Sequence, residues 1–297
     1  MIRFLVNPAA GRGSGGSHIH RLRVLASRHG AGLAMSRSAG DLTVLARRAA
    51  EEGVERLIVA GGDGTMQLAA QGIAGTPCAL GVVPLGTGND LAGTRGVPPE
   101  LEPAVARAVA GEVRAIDLVR VGGMGGAGGT ATLAVGYAGV GFDGEVTRFA
   151  NQVKVLRGPL VYPYAVIHTL ATFQPPAMRI EHDEGSFAGR AMFVVAANLP
   201  RFGGGMRIAP DARIDDGLLD LVVVREVPRR VLLGIFPKVY TGKHVGHPAV
   251  SIVRTRRASI ALDRTMTMYG GGEPIREVAA GEVMEVSIAP GALRVIV

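Results

Sequence analysis

Leu57-Ile58-Val59-Ala60-Gly61-Gly62-Asp63-Gly64-Thr65 is the stretch that decides the fold. Its four apolar residues, two of them β-branched, read as a buried parallel strand that the paired glycines stop abruptly. A helix over 66–73 is predicted to follow at once. Glycines at such a turn let backbone N–H groups approach an anion, because no Cβ stands in the way. The helix N-terminus behind them adds partial positive charge. Asp63 is the odd residue in this setting. A carboxylate beside a phosphate repels it unless a divalent cation or a proton lies between them, so the turn points to phosphoryl chemistry with magnesium. On spacing alone, a plain glycine-rich turn with a solvated Asp is the commoner arrangement.

Working outward, residues 2–6 form a strand that runs into Asn7-Pro8-Ala9-Ala10-Gly11-Arg12-Gly13-Ser14-Gly15-Gly16, with a helix over 18–29 behind it. Gly11, Gly13 and Gly16 satisfy G-x-G-x-x-G, which makes an NAD-linked oxidoreductase a competing reading. That reading needs an acid for the ribose about twenty residues further on. The sequence there is Leu33-Ala34-Met35-Ser36-Arg37, and the rival falls behind. A helix over 42–52 leads into the Leu57 strand. A strand over 78–84 delivers Thr87, Asn89 and Asp90 to the same edge, and a helix over 102–110 follows. Strands alternating with helices imply a doubly wound parallel sheet with ligands at its carboxyl ends. This first, α/β domain spans 1–113.

Beyond it the texture changes. Short β-rich runs at 116–121, 130–137, 179–182, 191–197 and 218–224 are separated by Gly and Asp, which reads as a mainly antiparallel sandwich or barrel over 114–290. Helices are expected over 142–150, 160–173 and 229–240 despite Pro163 and Pro237. Gly123-Met124-Gly125-Gly126-Ala127-Gly128 spells the fingerprint again, but no helix follows it, so a hairpin loop is expected. A last strand within 291–297 is expected to return to the first domain.

The totals are those of a globular protein. The 297 residues suit two domains, and 47% are hydrophobic against 19% charged. Aromatic residues are 4% with no Trp, so the core rests on aliphatic side chains. The single cysteine, Cys78, excludes an internal disulfide, fits a reducing cytoplasm and reads as a small core residue. The net charge of +7 favours an anionic partner. The arginines are scattered and not interleaved with aromatics, which argues against nucleic acid. An anionic membrane surface or phosphate-bearing substrates account for the charge. No run approaches the length of a spanning helix, and the N-terminus starts straight into a strand, so the expectation is a cytoplasmic protein peripheral to the inner face of the membrane.

Gly61-Gly62-Asp63-Gly64-Thr65 after a hydrophobic strand resembles the nucleotide-binding signature of diacylglycerol kinases, sphingosine kinases and NAD kinases. Pro84-Leu85-Gly86-Thr87-Gly88-Asn89-Asp90 is similar to the lipid-kinase partner motif, at about the spacing those kinases show. In the second domain the resemblance is to the bacterial lipid-kinase branch. It rests on Asn198, Gly203-Gly204-Gly205-Met206-Arg207-Ile208-Ala209-Pro210, Asp215-Asp216-Gly217-Leu218-Leu219-Asp220, Gly139-Val140-Gly141-Phe142-Asp143 and Gly242-Lys243-His244. It covers nearly the whole chain and favours a lipid kinase over an NAD kinase.

The resemblance implies an ATP-dependent kinase acting on a hydroxyl of a diacylglycerol-like lipid, with the active site between the domains; a homodimer is compatible with it. The positions matching ATP contacts are Asn7, Pro8 and the loop to Gly11, Ser36, Gly61, Gly62, Asp63, Gly64, Thr65, Gln67, Thr87 and Asn89. Asp63, helped by Asp90 and Asp117, is placed to hold catalytic Mg²⁺, although for Asp117 a strand-end ion pair is an equal reading. The branch's structural Mg²⁺ maps to the carbonyls of Arg213 and Leu218 and the side chain of Asp216. Glu273 is the candidate general base. Two departures stand out. Gln67 and Leu68 replace the family's usual Asn-Glu, and Gly271-Gly272-Glu273 replaces its Asp-Gly-Glu, so one carboxylate is missing. A catalytically weak nucleotide- or lipid-binding regulator is the alternative. His244 and His247 lack Cys or acidic partners and read as surface or core residues.

Overall fold

The computed structural model describes residues 1–123, 131–153 and 161–297. Most of the glycine-rich loop expected at 123–128, and the first residues of the strand and helix expected from 130 and 160, lie outside the described residues.

Strands β1 (Ile2–Val6), β2 (Gly32–Met35), β3 (Arg56–Gly61) and β4 (Ala79–Pro84) pair in parallel in the order β2-β1-β3-β4. Helices α1 (Ser14–Ser17) and α2 (Ile19–Arg28) follow β1, α3 (Ala39–Glu51) follows β2, and α4 (Asp63–Ile73) follows β3. After β4 come α5 (Asp90–Thr94) and α6 (Leu101–Ala110). Leu57, Ile58, Val59 and Ala60 are all fully buried, because a parallel strand with crossover helices has no solvent face. The packing is tight enough to specify residues: a Cβ on Gly81 of β4 would come within 2.9 Å of the Ala108 Cβ of α6. The sequence pattern does not announce the edge strand β2, since its Gly-Leu-Ala-Met is short and weak in β-formers, and one expectation needs correction. Helix α4 begins at Asp63 rather than at 66, the acid gaining from the dipole of the first turn.

The second domain holds β5 (Val113–Gly123), β6 (Thr132–Ala134), β7 (Tyr137–Gly141), α7 (Phe142–Gln152), α8 (Val161–Thr172), β8 (Ala177–His182), β9 (Gly185–Ala197) and β10 (Leu219–Arg225). It continues with α9 (Arg229–Val239), β11 (Val250–Thr255), β12 (Arg257–Leu262), β13 (Met266–Gly270), β14 (Glu273–Val278) and β15 (Val283–Ile296). One sheet runs β8-β12-β15-β5-β6 and the other β14-β13-β7-β9-β10-β11. The long β9 serves both, pairing through its first half with β8 and through its second with β7 and β10. The run Leu219–Val224 is apolar on both faces for a reason. Leu219, Leu221 and Val223 enter the core between the sheets, while Val222 and Val224 enter a second core against α7, α8 and α9. The sandwich therefore has a helical third layer.

Strand β15 shifts register between Ala289 and Leu293, and its Arg294 and Val295 then pair in parallel with Ala79 and Leu80 of β4. The fold is α/β: a doubly wound domain beside a β-sandwich, with one strand entering both. Among the described residues, no helix is long and apolar enough to cross a membrane.

Candidate active site

Strand order reverses between β1 and β3, which opens a crevice at their carboxyl ends, the usual ligand position in such sheets. Asn7 and Thr65 face each other across it, with Asn7 Nδ2 donating to Thr65 Oγ1 at 2.9 Å. Asn7 Oδ1 accepts from Ala9 N at 3.0 Å and so shapes the loop through Pro8 to Gly11. At the end of β2, the Ser36 amide donates to the Val6 carbonyl at 3.0 Å, which brings Ser36 to the same rim. The two glycine-rich turns touch: a Cβ on Gly86 would lie 2.5 Å from Gly62 Cα. Close approach requires glycine there. At Gly61, a Cβ would collide with the Thr65 side chain at 2.4 Å.

Next to this crevice, a cleft of about 690 Å³ lies between the domains. Asp63, Gly64, Thr87 and Asp90 line one side, and Tyr137, Phe202, Gly203, Tyr240 and Glu273 line the other. Asp63 Oδ1 accepts from the Asp90 amide at 2.7 Å. A Cβ on Gly88 would sit 2.6 Å from Asp63 Oδ2 and 3.4 Å from Asp90 Oδ2, so the two carboxylates meet over that glycine. Burial, then the neighbouring Asp90 charge, pushes the Asp63 carboxyl up to about 6. Burial also raises Asp90, against the amides of Gly204 and Gly205 that donate to it at 3.3 and 3.1 Å. Two crowded, desolvated carboxylates gain from a cation between them, so the residues fit a magnesium ion.

Glu273 arrives from the second domain on a tight hairpin. Gly270 and Glu273 pair across a two-residue loop, and Gly271 and Gly272 both have positive φ, at 61° and 83°. That is the φ pattern of a type I′ turn, which suits Gly-Gly and Asp-Gly alike. Tyr137 OH accepts from the Gly272 amide at 3.2 Å and fixes the hairpin, and Phe202 stacks on the Tyr137 ring at 4.0 Å. The Glu273 carboxylate rests against α4: a Cβ on Gly64 would be 2.6 Å from its Oε1. Partial burial raises its pKa.

Several expected residues have other work. Gln67, expected among the nucleotide contacts, is buried with its amide bonded to the second domain, donating to the Leu133 carbonyl at 2.8 Å and accepting from the Val135 amide at 2.6 Å. It clamps the domains together. Asn89 stands at left-handed φ and closes its own turn, bonding the Gly86 amide and carbonyl at 2.9 and 2.8 Å. Among the described residues, Asp117 neither lines the cleft nor has an ion-pair partner. Its Oδ2 accepts from the Gly217 amide and its Oδ1 from the Gly291 amide, both at 2.7 Å.

At the expected second metal loop, Asp216 Oδ1 accepts from the Leu218 amide at 3.1 Å while Oδ2 pairs with Arg254. Among the described residues, no group of three His, Cys, Asp or Glu could hold a metal ion, so a cation there depends on backbone carbonyls such as those of Arg213 and Leu218. Burial raises the nearby Asp220 carboxyl to about 6, with Arg254 opposing and the charges of Asp216 and Asp211 adding to the rise. His244 is buried, its Nε2–H donating to the Ile208 carbonyl at 3.0 Å, and burial lowers its pKa.

Sequence reasoning missed Tyr137 and Phe202, and gave no purpose to Gly203-Gly204-Gly205. All three glycines have positive φ, and the last two turn their amides onto Asp90. A glycine triplet is a signal for such a backbone donor loop.

With this geometry in view, the chain matches two families end to end: a diacylglycerol kinase catalytic domain over residues 1–121 and a YegS C-terminal NAD kinase beta sandwich-like domain over residues 136–297. It is 31% identical to a Mycobacterium tuberculosis diacylglycerol kinase, covering 98% of this chain and 93% of that one. It is 29% identical to a probable lipid kinase YegS-like of Stenotrophomonas maltophilia, over 86% and 82%. A crystal structure of a diacylglycerol kinase from Bacillus anthracis has the same fold, with a TM-score of 0.70 at 19% identity over 99% of this chain and 96% of that one. The chain belongs to the bacterial diacylglycerol kinase and YegS-like lipid kinase family.

Proposed function

We propose that this lipid kinase transfers the γ-phosphoryl group of ATP to a hydroxyl of a diacylglycerol-like lipid at the cytoplasmic face of the membrane. One observation carries the reading: Glu273 from one domain meets Asp63 and Asp90 from the other in a single cleft beside the Gly61–Thr65 turn. Backbone amides of that turn, with Asn7, Ser36 and Thr87, bind phosphate oxygens, which only accept. Asp63 and Asp90 would hold Mg²⁺, and Asp216 with the Arg213 and Leu218 carbonyls a second ion. When bound in the cleft, the metal supplies charge neutralisation on the transferred phosphate. Glu273 takes the hydroxyl proton as the oxygen attacks; its raised pKa makes it a better base than a solvated carboxylate. Tyr137 and the Gly271-Gly272 turn hold that carboxylate in place.

The test is radiolabelled ATP offered with vesicles containing diacylglycerol, monoacylglycerol, phosphatidylglycerol or sphingosine, with and without Mg²⁺. Label is expected in the diacylglycerol-type lipid only when Mg²⁺ is present. ATP binding without transfer to any lipid overturns the reading.

A further inference from the structure

Gly64, Gln67 and Gln71 recur at i, i+3 and i+7 along α4, so they share one face of the helix. The second domain meets that face at each of them. Over Gly64 lies the Glu273 side chain, whose Oε1, Cγ and Cδ would be 2.6, 3.3 and 3.4 Å from a Cβ there. Beside Gln67 lies Gly271, where a Cβ would be 3.0, 3.3 and 3.4 Å from Gln67 Cβ, Cγ and Oε1. One turn further on, Gln71 Nε2 donates to the Leu133 carbonyl at 3.4 Å.

Gln67 has no freedom to move aside. It is 1% exposed, and its carboxamide is held at both ends, at 2.8 Å by the Leu133 carbonyl and at 2.6 Å by the Val135 amide. Turning it away would leave two buried backbone groups unpaired, so its Cβ and Cγ form a fixed surface. Gly271, at positive φ and without a side chain, closes its backbone against that surface. Two residues later the same hairpin delivers Glu273 to Gly64. From Val135 the chain runs on to Tyr137, whose hydroxyl accepts from the Gly272 amide. Gln67 therefore bears on the hairpin twice, directly at Gly271 and through the segment that carries Tyr137.

We propose that Gln67 is a positioning residue for the reaction: it sets how closely the 270–273 hairpin seats on α4, and so where the Glu273 carboxylate stands against the turn that opens the same helix. The proposal rests on the reading of Glu273 as the base. A general base must come within about 2.6–3.2 Å of the group it deprotonates, and a displacement of about 1 Å can cost 10²-fold in rate. Gln67 is not among the described residues that line the cleft, so it acts through Glu273 rather than on the substrate. The domain contact and the placement of the base are then one device.

The test uses the full chain, with phosphoryl transfer from ATP to vesicle-embedded diacylglycerol measured beside hydrogen exchange at the hairpin amides. Gln67→Met keeps the length of the side chain and removes both hydrogen bonds. Its kcat should fall about 10²-fold with the KM for ATP unchanged, and exchange at the Gly271 and Gly272 amides should speed up. Gln67→Met/Glu273→Gln should be hardly slower than Glu273→Gln alone, because residues that act as a unit are not additive. Gln71→Met, on the same face but away from the hairpin, should leave kcat unchanged. Where Gln67→Met does not fold, the contact is reached from the other side. Gly271→Ala and Gly272→Ala both place a side chain at positive φ, but the new Cβ meets Gln67 at 271 and nothing described within 4 Å at 272. Gly271→Ala should therefore lose at least about tenfold more kcat than Gly272→Ala. Wild-type kcat in Gln67→Met overturns the proposal, as do losses that multiply in the double variant or equal losses in the two glycine variants. A raised KM for ATP with kcat intact also overturns it, by making Gln67 a nucleotide contact. The exchange measurement does not depend on activity. If no diacylglycerol is phosphorylated but Gln67→Met speeds exchange in the hairpin, the seating stands and the activity reading fails; unchanged exchange overturns the seating itself.

Discussion

Asp63 opens helix α4 just past β3 and Asp117 lies within β5, and each is a candidate for the same metal. The structure gives them opposite surroundings. Asp117 has both oxygens capped by backbone amides, at 2.7 Å from Gly217 and from Gly291. Its main-chain carbonyl also accepts from buried Asn198 at 2.8 Å. It therefore staples three distant segments. Asp63 has one oxygen on the Asp90 amide and the other crowded toward a second carboxylate, with a pKa pushed up to about 6. A buried carboxylate whose charge the backbone satisfies is structural. One whose charge is left in want of a cation is available for chemistry.

Substitution should separate the two. Asp63→Ala should lower phosphoryl transfer by at least about 10³-fold, since the lost charge stabilisation of a metal site is several kcal/mol, with the thermal midpoint nearly unchanged. Steady-state kinetics beside a thermal melt checks this. Asp117→Ala should do the reverse. The two part-buried amides lose a charged acceptor, at about 1.5–3 kcal/mol each, so the melting temperature should fall on the order of 10 °C, while turnover per folded molecule stays within a few-fold. Equal losses of activity in both variants would erase the distinction.

Asp143 gives a smaller, pH-dependent version of the same contrast. Its Oδ1 is shut away from water and has no hydrogen-bond partner among the described residues, though part of the residue remains accessible. Burial pushes the carboxyl from 3.8 up to about 7. The folded state thus holds its proton longer than the unfolded chain, so this group's contribution is full below pH 4 and is lost as pH rises toward 7. Asp143→Asn should therefore stabilise the protein on the order of 2 kcal/mol at pH 8 and little at pH 4, the gain trimmed by residual solvent contact. Denaturant melts at the two pH values measure it.

Much of this was legible in the sequence, for physical reasons. The strand Leu57–Ala60 with its double glycine could hardly be anything other than a buried parallel strand and turn, and two motifs in order brought Asp63, Thr87 and Asp90 to one edge. Glu273 came from resemblance and its turn glycines. What stayed hidden depends on long-range contacts. Nothing local to Gln67 says that its amide is matched to Leu133 and Val135, nor does anything beside Asp117 announce Gly217 and Gly291. The third layer was also invisible, because consecutive apolar residues in β9 and β10 fit a sandwich strand as well as one covered by helices.

If Glu273 takes the hydroxyl proton in the cleft it shares with Asp63 and Asp90, unaided by any side chain at Gly271, then single-turnover transfer from ATP to diacylglycerol by Glu273→Gln falls by about 10²–10⁴-fold. ATP affinity and melting temperature stay unchanged. Transfer by that variant at the wild-type rate would show that Glu273 is not the base.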